Sequence, residues 1–164
     1  MLFRSPQNPK CDDCIFRRNC AAFHQNRVDL LPVKMKKQKI KKRYFYYFLI
    51  RIGEKILMRE RSAKDIWRGL FDFPLLETKR NVAAGNILMH EFPHDSVSHI
   101  SKNYKHILTH QLIHARFIEI NWTPDKGLPS APFFAKATLC SLKQIQKVPK
   151  PRLISRYLED RAIL

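Results

Sequence analysis

Two apolar runs, RYFYYFLIRI from Arg43 and KILMRER from Lys55, are rich in aromatic and branched residues and are separated by Gly53-Glu54. That pattern predicts a β-hairpin turning at the glycine. Further on, WRGLFDFP alternates Trp67, Gly69, Phe71 and Phe73 against Arg68, Leu70 and Asp72. The alternation predicts a strand with one large apolar face in the core, ended by Pro74, with Gly69 allowing close backbone approach. Residues 75–103 are less regular, and HEFPHDSVS suggests a loop.

The stretch YKHILTHQLIHARFIEI, Tyr104 to Ile120, spaces His106, His110 and His114 four residues apart. On a helix this spacing stacks metal ligands on one face, but a strand, with its period of two, also puts all three on one face. Ile107, Ile113, Phe117, Ile118 and Ile120 make the stretch rich in branched and aromatic residues, and Trp122-Thr123-Pro124 closes it. It therefore predicts a strand, or a strand bent at Thr109-His110, carrying a row of half-exposed histidines rather than a chelating set. In the tail, Leu142 and Ile145, then Leu153, Ile154, Tyr157 and Leu158, recur at helical spacing. Pro149 and Pro151 split them into two short helices. Strands with terminal helices define an α+β class.

At 164 residues, with 45% hydrophobic content and 18 aromatic side chains, the chain is long and apolar enough for one folded domain plus additional segments. Charge adds more. Lys and Arg number 31 against 14 Asp and Glu, a net +17. Such an excess is offset by a polyanion, most commonly nucleic acid. Seven of the ten residues from Lys34 to Arg43 are basic, within a run that has no clean period. That run reads either as a linker tracking a phosphate backbone or as a solvated charge run that keeps a linker extended.

No apolar core of a secretion signal is evident in MLFRSPQNPK, and the longest apolar run, Tyr44 to Ile50, is too short to span a bilayer. The expectation is a cytoplasmic, reducing location, where cysteines serve metals more than disulfides. Three of the four lie together as Cys11, Cys14 and Cys20, a C-x2-C-x5-C pattern. Cys140, in the strand-like run FFAKATLC, reads as a buried structural thiol.

With NPKCDDCIFRRNC, KKRYFYYFLI, WRGLFDFP and KHILTHQ in this order and at these spacings, the chain resembles the C-terminal portion of the adenine DNA glycosylases, the MutY family. These enzymes excise adenine mispaired with 8-oxoguanine. The resemblance covers essentially the whole sequence. It implies that residues 1–23 are the remnant of an iron–sulfur cluster loop and residues 24–42 a basic interdomain linker. Residues 43–164 would form a Nudix-like mixed β-sheet domain with flanking short helices, which recognises 8-oxoguanine opposite adenine. The family's helical catalytic domain would precede Met1, so this chain is expected to bind rather than cut, as a monomer on double-stranded DNA containing the 8-oxoguanine:adenine pair.

A Phe-Ser-His triplet, often the recognition element in relatives, aligns with Leu108, Thr109 and His110. Thr109 keeps a hydroxyl able to donate and accept at a purine edge, and His110 is retained. Leu108 departs from the aromatic: it can wedge against a base but cannot stack on it. Lys36, Lys37, Lys39, Lys41 and Lys42 would supply phosphate affinity without sequence information.

Family members hold a [4Fe–4S] cluster through C-x6-C-x2-C-x5-C, which places Arg4 at the first ligand position and leaves Cys11, Cys14 and Cys20. Three thiolates are an incomplete set, so the cluster is expected to be absent or labile, with zinc on the three cysteines and His24 as an alternative. A Nudix-like fold also raises a nucleotide pyrophosphohydrolase. That chemistry needs several carboxylates on one helix to hold Mg2+, whereas Glu54, Glu60, Glu77, Glu91, Glu119 and Glu159 are scattered. A small basic RNA-binding or ribosome-associated protein with a Cys-based metal knuckle is the remaining alternative. It predicts a complete zinc site and aromatic residues exposed on a sheet.

Overall fold

The computed structural model describes residues 9–31, 39–62, 64–92, 96–123 and 132–164. The chain divides into two compact units, Met1–Lys39 and Ile40–Leu164. The first holds one short helix, α1 (Ala21–His24), between single 3-10 turns at Arg17–Asn19 and Val28–Leu30.

The second unit is built on β1 (Lys41–Ile52), which turns back at Gly53 into β2 (Lys55–Glu60). Gly53 sits at φ +56°, a region that glycine enters at little cost, so the expected hairpin is present. The remaining strands are β3 (Phe71–Asp72), β4 (Leu75–Thr78), β5 (Val97–Ile100), β6 (Tyr104–Ile107), β7 (Gln111–Asn121) and β8 (Thr138–Ser141). The sheet runs β3-β2-β1-β7-β5, with β4 on β1, β6 on β7 and β8 on β2. Its centre is a long parallel pairing of β1 with β7, from Lys41 opposite Gln111 to Arg51 opposite Asn121.

The unbroken run Phe45–Ile50 is buried throughout, because both faces of the central strands are covered. On one face Phe45, Tyr47, Leu49, Ile113, Ala115 and Phe117 pack with Leu153, Ile154, Tyr157 and Leu158 of α4 (Arg152–Asp160). Tyr157 stacks on Phe117 with ring centroids 3.8 Å apart. On the other face Tyr46, Phe48, Ile50, Ile118 and Ile120 pack with Ala84 and Ile87 of α2 (Ala84–Glu91), Phe92 and Phe134. Each leucine, isoleucine or phenylalanine among them contributes about 1.5–3 kcal/mol when fully buried. The result is a mixed sheet between helical layers, the expected Nudix-type arrangement.

The two tail helices are as expected. Ser141 and Gln144 form a reciprocal capping box at the start of α3 (Leu142–Lys147), and Pro151 stands at the N-cap position of α4 without a side-chain cap. Elsewhere the pattern misled. The less regular residues 75–103 contain β4, α2 and β5. Of HEFPHDSVS, read as a loop, His90 and Glu91 end α2, Val97 and Ser98 begin β5, and residues 93–95 lie outside the described residues. WRGLFDFP is strand only at Phe71–Asp72; Trp67 and Gly69 lie in a tight turn at φ +63° and +76°. A side chain on Gly69 would meet nothing within 4 Å, so this glycine serves the positive φ and not a close approach. Cys140 belongs to β8 and is half-buried, packed against the α4-side core.

Candidate nucleic-acid interface

Tyr104 to Ile120 is a hairpin rather than one strand. β6 and β7 pair antiparallel, and the Leu108 amide donates to the Gln111 carbonyl at 2.8 Å, closing a two-residue turn. Thr109 and His110 are that turn, and both side chains are exposed. The pattern allowed a bend here, but the actual reversal carries no glycine, so the usual hairpin signal was missing. Neither residue takes a positive φ. Leu108 is half-buried against the α4-side core, whereas its neighbour Ile107 is 76% exposed.

The turn rests on a braced base. The Lys41 amide donates to the His110 carbonyl at 3.0 Å, fixing the tip to the start of β1. Arg43 donates to Gln111 at 3.0 Å, to both oxygens of Asp65 at 2.9 and 2.7 Å, and to both oxygens of Glu77 at 2.7 and 2.6 Å. The hydrogen bonds that Arg43 donates to Glu77 and Asp65 raise its pKa further above the ordinary value, outweighing burial. The hydrogen bond from Arg43 is the main cause that holds the Asp65 carboxyl down at about 2, against burial. Arg61 extends the network, donating to Asp65 at 3.1 Å and to Asp72 at 2.8 Å; Arg59 donates to Asp72 at 3.1 Å. Burial lifts the Asp72 carboxyl while the two guanidinium groups oppose the rise. Arg43, Arg59 and Arg61 are therefore committed to carboxylates, whereas Lys41 and Lys42 are exposed. Lys39 is exposed in the first unit, and Lys36, Lys37 and Arg4 lie outside the described residues.

The three histidines do not share a face. Lys105 pairs with His114 and His106 with Ile113, so the hairpin turns His106 and His114 to opposite sides of the sheet. His106 meets Trp67 edge to face at 5.3 Å, and burial lowers its pKa. His114 stacks on Tyr44 at 5.2 Å, and the Asn103 amide donates to its Nδ1 at 3.1 Å, which puts the proton of the neutral ring on Nε2. Its pKa is lowered by burial first, then by the charges of Lys105 and Lys42. The sequence reading missed Tyr44, Lys105, Ile107 and Arg116 here; the parity of three paired strands, invisible before the register is known, brings them together.

Cys11, Cys14 and Cys20 are free, half-buried thiols. Among the described residues no three His, Cys, Asp or Glu side chains converge as a metal site. Three thiols that do not converge do not fit the four-thiolate set of a [4Fe–4S] cluster. His24 is engaged elsewhere, with Nε2 2.8 Å from the Arg18 carbonyl. The multiple carboxylates of a Mg2+-dependent pyrophosphohydrolase are likewise missing from α2, whose sequence AGNILMHE carries Glu91 as its one acid. Among the described residues no helix is long and apolar enough to cross a membrane.

A mixed sheet covered by helices on both faces defines a Nudix-type fold. The family model described as the NUDIX domain matches residues 46–160, and the chain belongs to that family. It is also 31% identical over 78 residues to the adenine DNA glycosylase of Buchnera aphidicola subsp. Schizaphis graminum, covering 48% of this chain and 22% of that protein. The matched region thus spans about a fifth of that relative's length. Among solved structures, MutT from Methanosarcina mazei Go1 aligns over 78% of this chain and 99% of that one, with a TM-score of 0.52 and 15% identity. The E. coli ORF135 protein aligns over 76% and 94%, with a TM-score of 0.51 and 19% identity. At such identities these two structures establish the fold alone.

Proposed function

We propose that this chain is the lesion-recognition part of an adenine DNA glycosylase, which binds duplex DNA and reads 8-oxoguanine opposite adenine. The observation that carries the reading is the placement of Thr109 and His110. They form the exposed tip of a hairpin whose base is held by the Lys41 amide and by Arg43 through Gln111. A base-reading group needs exposure and a fixed position, and this turn has both. The Thr109 hydroxyl and the His110 ring would address the purine edge, and the inward-packed Leu108 would anchor them. Lys41 and Lys42 begin the neighbouring strand, and with Lys36, Lys37 and Lys39 they would supply backbone attraction, which is sequence-independent and salt-dependent.

No catalytic residue is assigned here. In a complete glycosylase the adenine is extruded and cut in a separate pocket, and this unit would hold the opposite base. The Cys11, Cys14 and Cys20 segment is read as the remnant of an iron–sulfur loop. The similarity of part of the chain to an adenine DNA glycosylase and the net charge of +17 support the whole reading. Fluorescence anisotropy at two salt concentrations, comparing 8-oxoguanine:adenine with guanine:adenine duplexes, tests it. Tighter binding to the lesion pair at both concentrations is expected. Equal affinity for the two would remove lesion recognition from this chain.

A further inference from the structure

Beside the hairpin, the sheet exposes a face that the base-reading role does not use. The α2-side core covers this face where Tyr46 and Ile118 are buried, but it gives out toward the beginning of β1. There the register aligns Lys42 with Leu112, Tyr44 with His114, Lys105 with His114, Ile107 with Leu112, and Tyr46 with Arg116. Side chains two apart on a strand share a side, so Lys42, Lys105 and Arg116 surround the stacked Tyr44–His114 pair on one surface. Lys42 and Lys105 are exposed and Arg116 half-exposed. Among the described residues none of the three has a carboxylate partner. The acid that pairs across from this region, Glu77 of β4, is opposite Phe45 and so points to the other side, toward Arg43.

We infer that this face is a second contact surface for duplex DNA, which takes backbone phosphates on Lys42, Lys105 and Arg116 around a Tyr44–His114 platform. Charge complementarity is the argument. Three cations without a counter-ion among the described residues, on a partly exposed sheet end, repel each other unless an anion lies across them. The neutral His114 ring, its Nδ1 already accepting from Asn103, keeps an Nε2–H that has no acceptor among the described residues and can donate to a phosphate oxygen. The strand positions Leu112 to Arg116 extend about 13 Å, enough for an extended backbone rather than a single ion. The face adjoins the turn: β6 leads from Lys105 and Ile107 directly into Leu108 and the tip.

This inference rests on the DNA-binding reading, and the test separates the two. In the full chain, Lys42→Gln, Lys105→Gln and Arg116→Gln are combined. The salt dependence of duplex affinity is then compared with that of a control carrying Lys55→Gln, Lys143→Gln and Lys147→Gln, which are exposed elsewhere on the same unit or at its edge. Each lost phosphate contact lowers the slope of log affinity against log salt by about 0.9, so a fall of about 2.7 is expected for the first variant. The control slope should stay near wild type, and the preference for the 8-oxoguanine pair should persist in both. An unchanged slope, or an equal fall in the control, overturns the phosphate face while leaving recognition at Thr109 and His110 standing. Loss of lesion preference along with the slope overturns the assignment of this face to phosphate. Absence of duplex binding by the unaltered chain overturns the DNA reading itself. Thermal melting of both variants confirms that the comparison is between folded proteins.

Discussion

Trp67 and His106 meet edge to face, with ring centroids 5.3 Å apart and planes at 69°. One residue lies in the turn before β3 and the other on β6, so the contact joins the turn to the hairpin that carries Thr109 and His110. Trp67 occupies φ +63°, which costs a residue with a side chain about 1–2 kcal/mol. Its edge contact with Phe45 at 6.4 Å and the Arg61 guanidinium 6.0 Å from its ring centre join His106 in offsetting that cost.

Trp67→Ala should therefore loosen the hairpin as well as the turn. Trp67 is only half-buried, so the expected loss is about 2–3 kcal/mol, below the full range for a buried tryptophan. His106 provides the sharper readout. Burial lowers its pKa, and removing the indole should let it rise toward the ordinary imidazole value. Urea unfolding and an NMR titration of the His106 ring check both parts. A His106 titration identical to wild type would mean that Trp67 does not brace β6.

The core was readable because burial writes directly into hydrophobic pattern. A strand apolar at every position, Phe45 to Ile50, has both faces covered, and the tail helices announced themselves through Leu153, Ile154, Tyr157 and Leu158. What escaped depends on partners distant in sequence. α2 contains Gly85 and Asn86, poor helix formers, and two of its residues, Ala84 and Ile87, pack in the core on the face opposite α4. The reversal at Thr109-His110 lacks a turn glycine and is fixed instead by the Lys41 amide. The charged network around Arg43 draws on residues up to 68 positions apart, a pairing that no local pattern encodes.

Arg43 and Asp65 make a prediction about acid. The Asp65 pKa is held at about 2, first by the hydrogen bond from Arg43, below the unfolded value of about 3.9. A depressed carboxyl binds fewer protons folded than unfolded, so stability rises with pH across this window. The contribution is complete above about pH 5 and is lost as pH falls toward about 2. After discount for solvent at a 31% exposed side chain, it amounts to roughly 1 kcal/mol. Arg43→Met should remove this share of the acid sensitivity and cost about 2–3 kcal/mol at pH 7, because Asp65, Glu77 and Gln111 lose their common donor. Urea midpoints at pH 7 and pH 3 measure it. An equal drop between those two pH values in wild type and variant would refute the linkage.

Gly69 separates conformation from packing. Its φ is +76°, and the space into which a methyl group would project is open. Gly69→Ala should therefore cost about 1–2 kcal/mol from the backbone alone. Gly69→Asn should cost less, since asparagine tolerates this region better. Thermal unfolding of the two variants decides it. A loss greater for Asn than for Ala would point to crowding and restore the close-approach role that the sequence suggested.

Thr109 and His110 carry the most direct functional prediction. Both are exposed, and the turn is held by backbone hydrogen bonds from Leu108 and Lys41, so Thr109→Ala with His110→Ala should leave folding unchanged. The double variant should weaken the preference for 8-oxoguanine:adenine over guanine:adenine by about 1–3 kcal/mol, the scale of one good base contact. Its salt slope should match wild type, because neither side chain is needed for backbone attraction. Paired titrations of both duplexes at two salt concentrations report the two quantities separately. A fall in binding shared equally by both duplexes would make the tip a general clamp, and base reading would have to come from another part of the chain.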